Sequence, residues 1–270
     1  MFTPLYLNAR GLTTGFVPYG HGSVEARLDV FDSRISIAQS NGAQIDVALL
    51  PARTVADIYN DVSAAFRTID VRCVISKIPQ ELPDRTPLNE DRRPSEYDPE
   101  AVQRWFRAAT AIAAEFDRWR THFFGRSGIQ LWWGAFDIAL VLFSGRRVSP
   151  PADRGYIMKY DLDAELMNVG LYLGDEQNAP FLYGYIFPEP SGAEALPIAP
   201  TQALWSAQLR EWILPYEDVR VSDDPSAAIR AFVDSIYAQC SAAAGWNRES
   251  YLYDTPHLLV PAAPKPEPPA

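Results

Sequence analysis

The sequence predicts an α+β fold: mainly antiparallel sheet covered by helices, in a pattern that allows pseudo-duplication of one meander-plus-helix unit. Three observations predict it. Short runs that alternate apolar and polar residues are separated by polar turns, as in antiparallel strands met one after another. Strand-like stretches are followed twice by a segment whose apolar residues recur at three and four, the period of an amphipathic helix. The chain is 270 residues long and 47% hydrophobic, enough to bury a full core. One domain over residues 1–258 is expected, in two halves joined by a linker at about 79–97.

From Val24 the alternation runs through Val24, Ala26, Leu28 and Val30, turns at Asp32-Ser33, and resumes at Ile35 and Ile37. After Ser40-Asn41-Gly42 it continues at Ile45, Val47 and Leu49, completing a meander. The period then changes: Val55, Ile58, Tyr59, Val62, Ala65, Phe66 and Ile69 form the stripe of a helix packed on that meander. Val71 to Ile78 reads as a further strand, and the proline- and charge-rich segment after it as a surface loop.

Asp98-Pro99-Glu100 opens a second helix. Aspartate accepts at the N-cap, proline has no N–H to leave unsatisfied, and glutamate sits at the positive end of the dipole. Val102, Trp105, Phe106, Ala109, Ile112, Ala113, Phe116 and Trp119 supply its apolar stripe, which at this spacing is core rather than a cofactor box. Strands are expected at 129–143, 165–173 and 181–187, and near Trp212 to Leu214. Asp224-Pro225 opens a last helix, which carries Ile229, Phe232, Val233, Ile236, Tyr237 and Cys240 and stops near Gly245. The proline-alanine tail at 259–270 is expected to be disordered.

Composition excludes several classes. A net charge of −10 repels phosphate backbones, so no nucleic-acid partner is expected, and Arg92-Arg93 and Arg146-Arg147 read as solvated pairs. The longest apolar run, Ile138 to Phe143, is far short of the roughly 20 residues of a membrane helix. The N-terminus has no basic stretch leading into an apolar one, so a cytoplasmic protein is expected. Cys73 and Cys240 lack any CxxC spacing and read as buried free thiols. His21, His122 and His257 are scattered and suggest no metal. No nucleophile elbow, phosphate loop or zinc-protease motif is present, and nothing specifies a cofactor or an oligomeric state.

The candidate site begins at Asp137, a carboxylate inside the apolar run IQLWWGAFDIALVLF. In one continuous strand, Trp133, Ala135, Asp137, Ala139, Val141 and Phe143 share a face. Glu165 points to an apolar side of its own strand, and Tyr183 and Tyr185 share a face with Phe181 and Phe187. Arg10, Trp133, Asp137, Arg146, Glu165, Tyr183 and Tyr185 are therefore the candidate ligand-binding residues. The alternative is a structural Asp137, held by Arg146, Arg147, Arg10 or backbone N–H groups.

On RGLTTG (10–15), WWGAFD (132–137) with FSGR (143–146), and YIFPEP (185–190), the chain resembles an uncharacterised bacterial family, a domain of unknown function. DPEAV (98–102) and LPYEDVR (214–220) fall in the order this resemblance implies. Similar chains carry a further N-terminal segment, so the resemblance raises the question whether Met1 is the true start. They also have histidine at the position of Gln130, serine at Ala135 and a histidine-glutamate pair at Ala164-Glu165, a constellation suited to metal ligation or acid–base work. Here only Asp137 and Glu165 remain of it, so histidine-dependent catalysis is not expected.

Three functions follow as expectations. The leading one is binding of a small molecule in an apolar, aromatic-lined pocket fixed by Asp137, Glu165 and Arg146. The second is a hydrolase or lyase that pairs the two carboxylates. The third is a protein–protein interaction module. The sequence does not decide whether the protein is an enzyme.

Overall fold

The computed structural model of the chain describes residues 4–51, 53–79, 82–94, 96–132, 134–152, 162–175, 177–247 and 251–252. The expected tail at 259–270, His257 and Trp133 lie outside the described residues. Among those described, two six-stranded antiparallel sheets and their helices make an α+β fold.

The first sheet contains β1 (Tyr6–Asn8), β2 (Gly11–Thr13), β3 (Val17–Tyr19), β4 (Gly22–Asp29), β5 (Arg34–Gln39) and β6 (Gln44–Ala48). Their order is β1-β2-β4-β5-β6, with β3 beside β4. The alternation turns Val24, Ile37 and Val47 inward against Ala65, Ile69 and Val71. Ala65 belongs to α1 (Val55–Thr68), which a capping box opens: the Thr54 side chain accepts from the Asp57 N–H, and the Asp57 side chain accepts from the Thr54 N–H.

Val71 to Ile78 is not a strand. Only Val71 of this stretch is buried, and Val74 is fully exposed, so alternation here has no apolar face to bury. Among the described residues from there to α2 (Pro99–Arg120) no helix or strand is formed, and at the start of α2 Asp98 accepts from the Glu100 N–H at 2.9 Å. Cys240 is buried as expected, but Cys73, on this irregular stretch, is exposed.

The apolar run 129–143 is two strands, not one. β7 (Ser127–Trp132) and β8 (Asp137–Arg147) form a hairpin in which Trp132 pairs with Asp137 across the turn. Phe136 takes a φ of 57° in that turn, the left-handed region that non-glycine residues seldom occupy. The residues from Leu131 to Phe143 are apolar but for Gly134 and Asp137, so no change of period marks the reversal. The sheet continues through β9 (Ala164–Tyr172), β10 (Phe181–Phe187), β11 (Leu204–Ser206) and β12 (Glu211–Pro215), in the order β11-β12-β10-β9-β8-β7. A short helix, α3 (Tyr216–Arg220), leads to α4 (Pro225–Ala243), opened by Asp224 and followed by Gly245 at a φ of 64°. Each meander thus ends in a helix, α1 after β6 and α4 beyond β12.

The helices α2 and α4 cover one face of the second sheet. Phe116 and Trp119 from α2 and Phe232, Ile236 and Tyr237 from α4 pack on Leu140, Leu142, Met167, Val169 and Leu182. A Cβ on Gly184 would stand 2.8 Å from the Ile236 side chain, so glycine there lets α4 approach the sheet. Two polar links cross between the helices: Trp119 Nε1 donates to Asp234 at 2.6 Å, and Arg230 pairs with the buried Glu115 at 3.0 Å.

The two sheets meet edge to edge. Leu5 and Leu131 exchange backbone hydrogen bonds of 2.8 and 3.1 Å, and Leu12, Ala109, Ala113, Leu131 and Ile138 bury one another beneath that join.

Candidate functional site

The other face of the second sheet carries the polar chemistry. Cross-strand pairing arranges it in rows. One row reads Tyr185, Asn168, Val141, Gly128, and the Ser206–Glu211 pair lies one residue past Gly184–Trp212, the last pair between β10 and β12. The next reads Leu204, Ile213, Tyr183, Gly170, Ala139, Gln130, and beyond it lie the pairs Phe181–Tyr172 and Trp132–Asp137. Beyond the turn, then, Asp137 keeps the face expected for it, with Ala139, Val141 and Phe143.

Tyr183 crosses rows. Its hydroxyl donates to Asp137 Oδ2, and both side chains are buried. The ring reaches β8 by lying over Gly170, where a Cβ would meet its Cζ at 2.4 Å and its hydroxyl at 2.5 Å. Glycine at 170 and alanine at 139 leave the trough this tyrosine fills. Tyr185 stacks beside it with ring centroids 6.2 Å apart, and Asn168 Nδ2 donates to the Tyr185 hydroxyl at 2.6 Å. The Asn168 Oδ1 and Trp132 Nε1 atoms are buried with no hydrogen-bond partner among the described residues.

Electrostatics concentrates here. Burial first, and then the negative charge of Asp137, push the Tyr183 hydroxyl well above its ordinary value. The same two causes raise the half-buried Glu211 carboxyl to about 7. Tyr172 donates to Asp175 at 2.7 Å, which, with backbone N–H groups of Gln177 and Asn178, holds that carboxyl at about 2. The face therefore has a carboxyl that changes charge near neutrality beside a tyrosine that stays protonated.

The structure brings Asp137, Tyr183 and Tyr185 together and separates the other expected residues from them. Glu165 is on the opposite, helix-covered face and lies roughly 20 Å further along the ladder at about 3.3 Å per residue. The expected pairing of Asp137 with Glu165 is thereby corrected: strand parity sends the odd residues of β9 to the helices. Arg146 is bound there too, with Nε and Nη2 on Glu165 at 2.6 and 2.7 Å and Nη2 on the Ala244 carbonyl at 2.8 Å. That pair ties β8 and β9 to the end of α4. Arg10 belongs to the first sheet, ion-paired with Asp29 at 2.5 Å and Asp32 at 3.0 Å. Neither arginine is placed to hold Asp137.

Sequence reasoning missed Glu211, Asn168 and Gly170. Each left a faint signal: a carboxylate alternating with Ile213 in EWILP, and a polar residue and a glycine inside the strand NVGLY. An open cleft of 570 Å³ lies elsewhere, between β1, α2 and the start of β7. Its charged lining residues, Asp117 and Arg120, are bonded to each other, so its chemistry is already satisfied. Among the described residues no three His, Cys, Asp or Glu side chains are grouped to hold a metal ion, and no helix is long and apolar enough to cross a membrane. A model of a family of unknown function (DUF5996) matches residues 2–252. Comparison with curated proteins and with solved structures finds no match.

Proposed function

The chain belongs to the DUF5996 family, a family of unknown function, so its role has to be read from its own site, and we propose that it binds a small molecule over the face made by Asp137, Asn168, Tyr183, Tyr185 and Glu211. One observation carries this reading. Asn168, paired with Tyr185 across β9 and β10, holds a buried Oδ1 atom that no described residue satisfies, and Glu211 lies on β12 at the other side of β10. A buried polar atom without a partner costs about 1–3 kcal/mol, and a ligand that meets it recovers that free energy. The aromatic residues beside it supply apolar area for such a ligand, and Glu211 and Tyr185, being half-buried, leave a way in from solvent.

The test is native purification followed by mass spectrometry of whatever small molecule travels with the protein. The expected outcome is a bound metabolite in the wild type that is lost in Tyr185→Leu while the fold persists by circular dichroism. Retention of the same metabolite by that variant would sink the reading.

A second reading, acid–base catalysis, has one observation in its favour: the Glu211 carboxyl at about 7 beside the charge of Asp137. Paired carboxylates pushed apart in this way supply an acid and a base near neutrality. The pair differs from the one expected of the sequence, with Glu211 in place of Glu165. A turnover that follows a single ionisation near neutrality and disappears in Glu211→Gln would favour catalysis over simple binding.

A further inference from the structure

Three features of the molecule carry chemistry that the fold alone does not use: the cleft beside β1, the exposed aromatic tip at Phe136, and the row centred on Tyr185. The cleft's charges are mutually satisfied, and Phe136 already packs on Trp105 with ring centroids 5.2 Å apart. The third feature has unmet chemistry of one kind.

We propose that the ligand of this face is a cation bearing N–H donors, an alkyl- or arylalkylammonium or a guanidinium group, seated over the Tyr185 ring between Glu211 and Asn168; the proposal rests on the reading of this face as a binding site. The first ground is the type of unmet valence. Asn168 spends its amide N–H on the Tyr185 hydroxyl, which leaves Oδ1, an acceptor, without a partner among the described residues. Glu211 receives no hydrogen bond and no ion pair among them either, and a carboxylate only accepts. The two acceptors stand on β12 and β9 on either side of β10, roughly 10 Å apart at a strand spacing of about 4.8 Å. That gap accommodates a small ammonium group and its first methylenes. Among the described residues the unpartnered buried donor of the face, Trp132 Nε1, belongs to β7 at the far margin of the sheet.

The second ground is charge. Glu211 shares the face with Tyr172, Tyr183 and Tyr185. Among the described residues its positive charges are Arg126, held 4.6 Å over the Phe143 ring, and Arg147, both toward the other end of β8. Arg210, next in sequence to Glu211, is bonded instead to Glu189 at 2.8 Å. A ligand cation would pair with the Glu211 carboxylate and the Asn168 oxygen, and the stacked tyrosine rings add a cation–π surface for it.

The experiment uses three probes of one shape and different charge: phenethylamine, 2-phenylethanol and 3-phenylpropionate. Each is titrated at pH 8 into wild type, Glu211→Gln, Tyr185→Leu and Ser206→Asp, with calorimetry and the tyrosine resonances as readouts. The amine is expected to bind at least tenfold more tightly than the alcohol, and the propionate most weakly. Glu211→Gln should reduce the amine to the alcohol's affinity and leave the alcohol unchanged. Ser206→Asp, which adds a carboxylate opposite Glu211, should tighten the amine further; it keeps the test decisive if Glu211→Gln fails to fold. If alcohol or propionate binds as tightly as the amine and Tyr185→Leu abolishes all three, the binding face stands and the cation is overturned. If no probe binds, or Tyr185→Leu changes none of the affinities, both fall.

Discussion

At the scale of single residues, Glu211 and Gly170 make the site measurable. The Glu211 carboxyl is raised to about 7 in the folded chain from an ordinary 4.5. Between those values the folded state holds a proton that the unfolded state has released. The resulting stability is complete below 4.5 and is lost as pH rises to 7. After discounting for the carboxyl's partial exposure, the effect is about 1–2 kcal/mol. The melting temperature of wild type is therefore expected to fall relative to Glu211→Gln between pH 5 and pH 8; a constant difference over that range would refute it. The carboxyls of Asp91 and Asp175, held at about 2, do not interfere, because their stabilisation is lost only as pH falls below 3.8. Gly170→Ala forces its new methyl into the Tyr183 ring and should cost about 1–3 kcal/mol. In a Tyr183→Ala background that cost should largely vanish, which a denaturant double-mutant cycle will show. Asp137, Tyr183 and Tyr185 were legible in the sequence because parity holds within β8 and within β10; it does not carry across the turn, where even-numbered Trp132 pairs with Asp137. Glu211 was not, since its environment is made by β8 and β10, from distant parts of the chain, and a charge at a strand end carries no periodic mark.

At the scale of elements, caps and stripes decided what could be read. Asp98-Pro99 and Asp224-Pro225 announce α2 and α4 because an N-cap is a local contact that sequence neighbours alone create. The three-residue strands β1, β2 and β3 are too short to show a period, and the hairpin within 129–143 hides because its turn falls inside an almost unbroken apolar run. Val71 to Ile78 failed for the opposite reason, alternating without a partner sheet. Arg146 and Glu165, expected at a ligand site, instead fasten the sheet to the end of α4. Glu165 is buried, with Ser144 as a further hydrogen-bond donor. Arg146→Ala strands that carboxylate and is expected to cost about 3–5 kcal/mol in urea unfolding. Replacing both residues, Arg146→Met with Glu165→Leu, should cost much less, and a double variant as unstable as the single one would contradict this account.

At the scale of the whole molecule, two antiparallel sheets are joined by the Leu5–Leu131 bridge and by the apolar contacts of α2. This junction could not be foreseen from periodicity, because it pairs two strand edges more than a hundred residues apart whose side-chain patterns would suit any edge. The covalent connection between the halves, by contrast, passes through a segment in which Lys77 and Arg85 lie open to solvent. Everything that positions the halves is thus non-covalent contact. The molecule should behave as a pair of complementing fragments: trypsin, cutting after Lys77 or Arg85, should yield two pieces that still elute together and keep the native near-ultraviolet spectrum. Leu131→Ala, which hollows the junction at a residue only 1% exposed, should let the nicked pieces separate. Two independently expressed pieces, one ending and one beginning in this stretch, should then find each other, with the join between the sheets serving as their recognition surface.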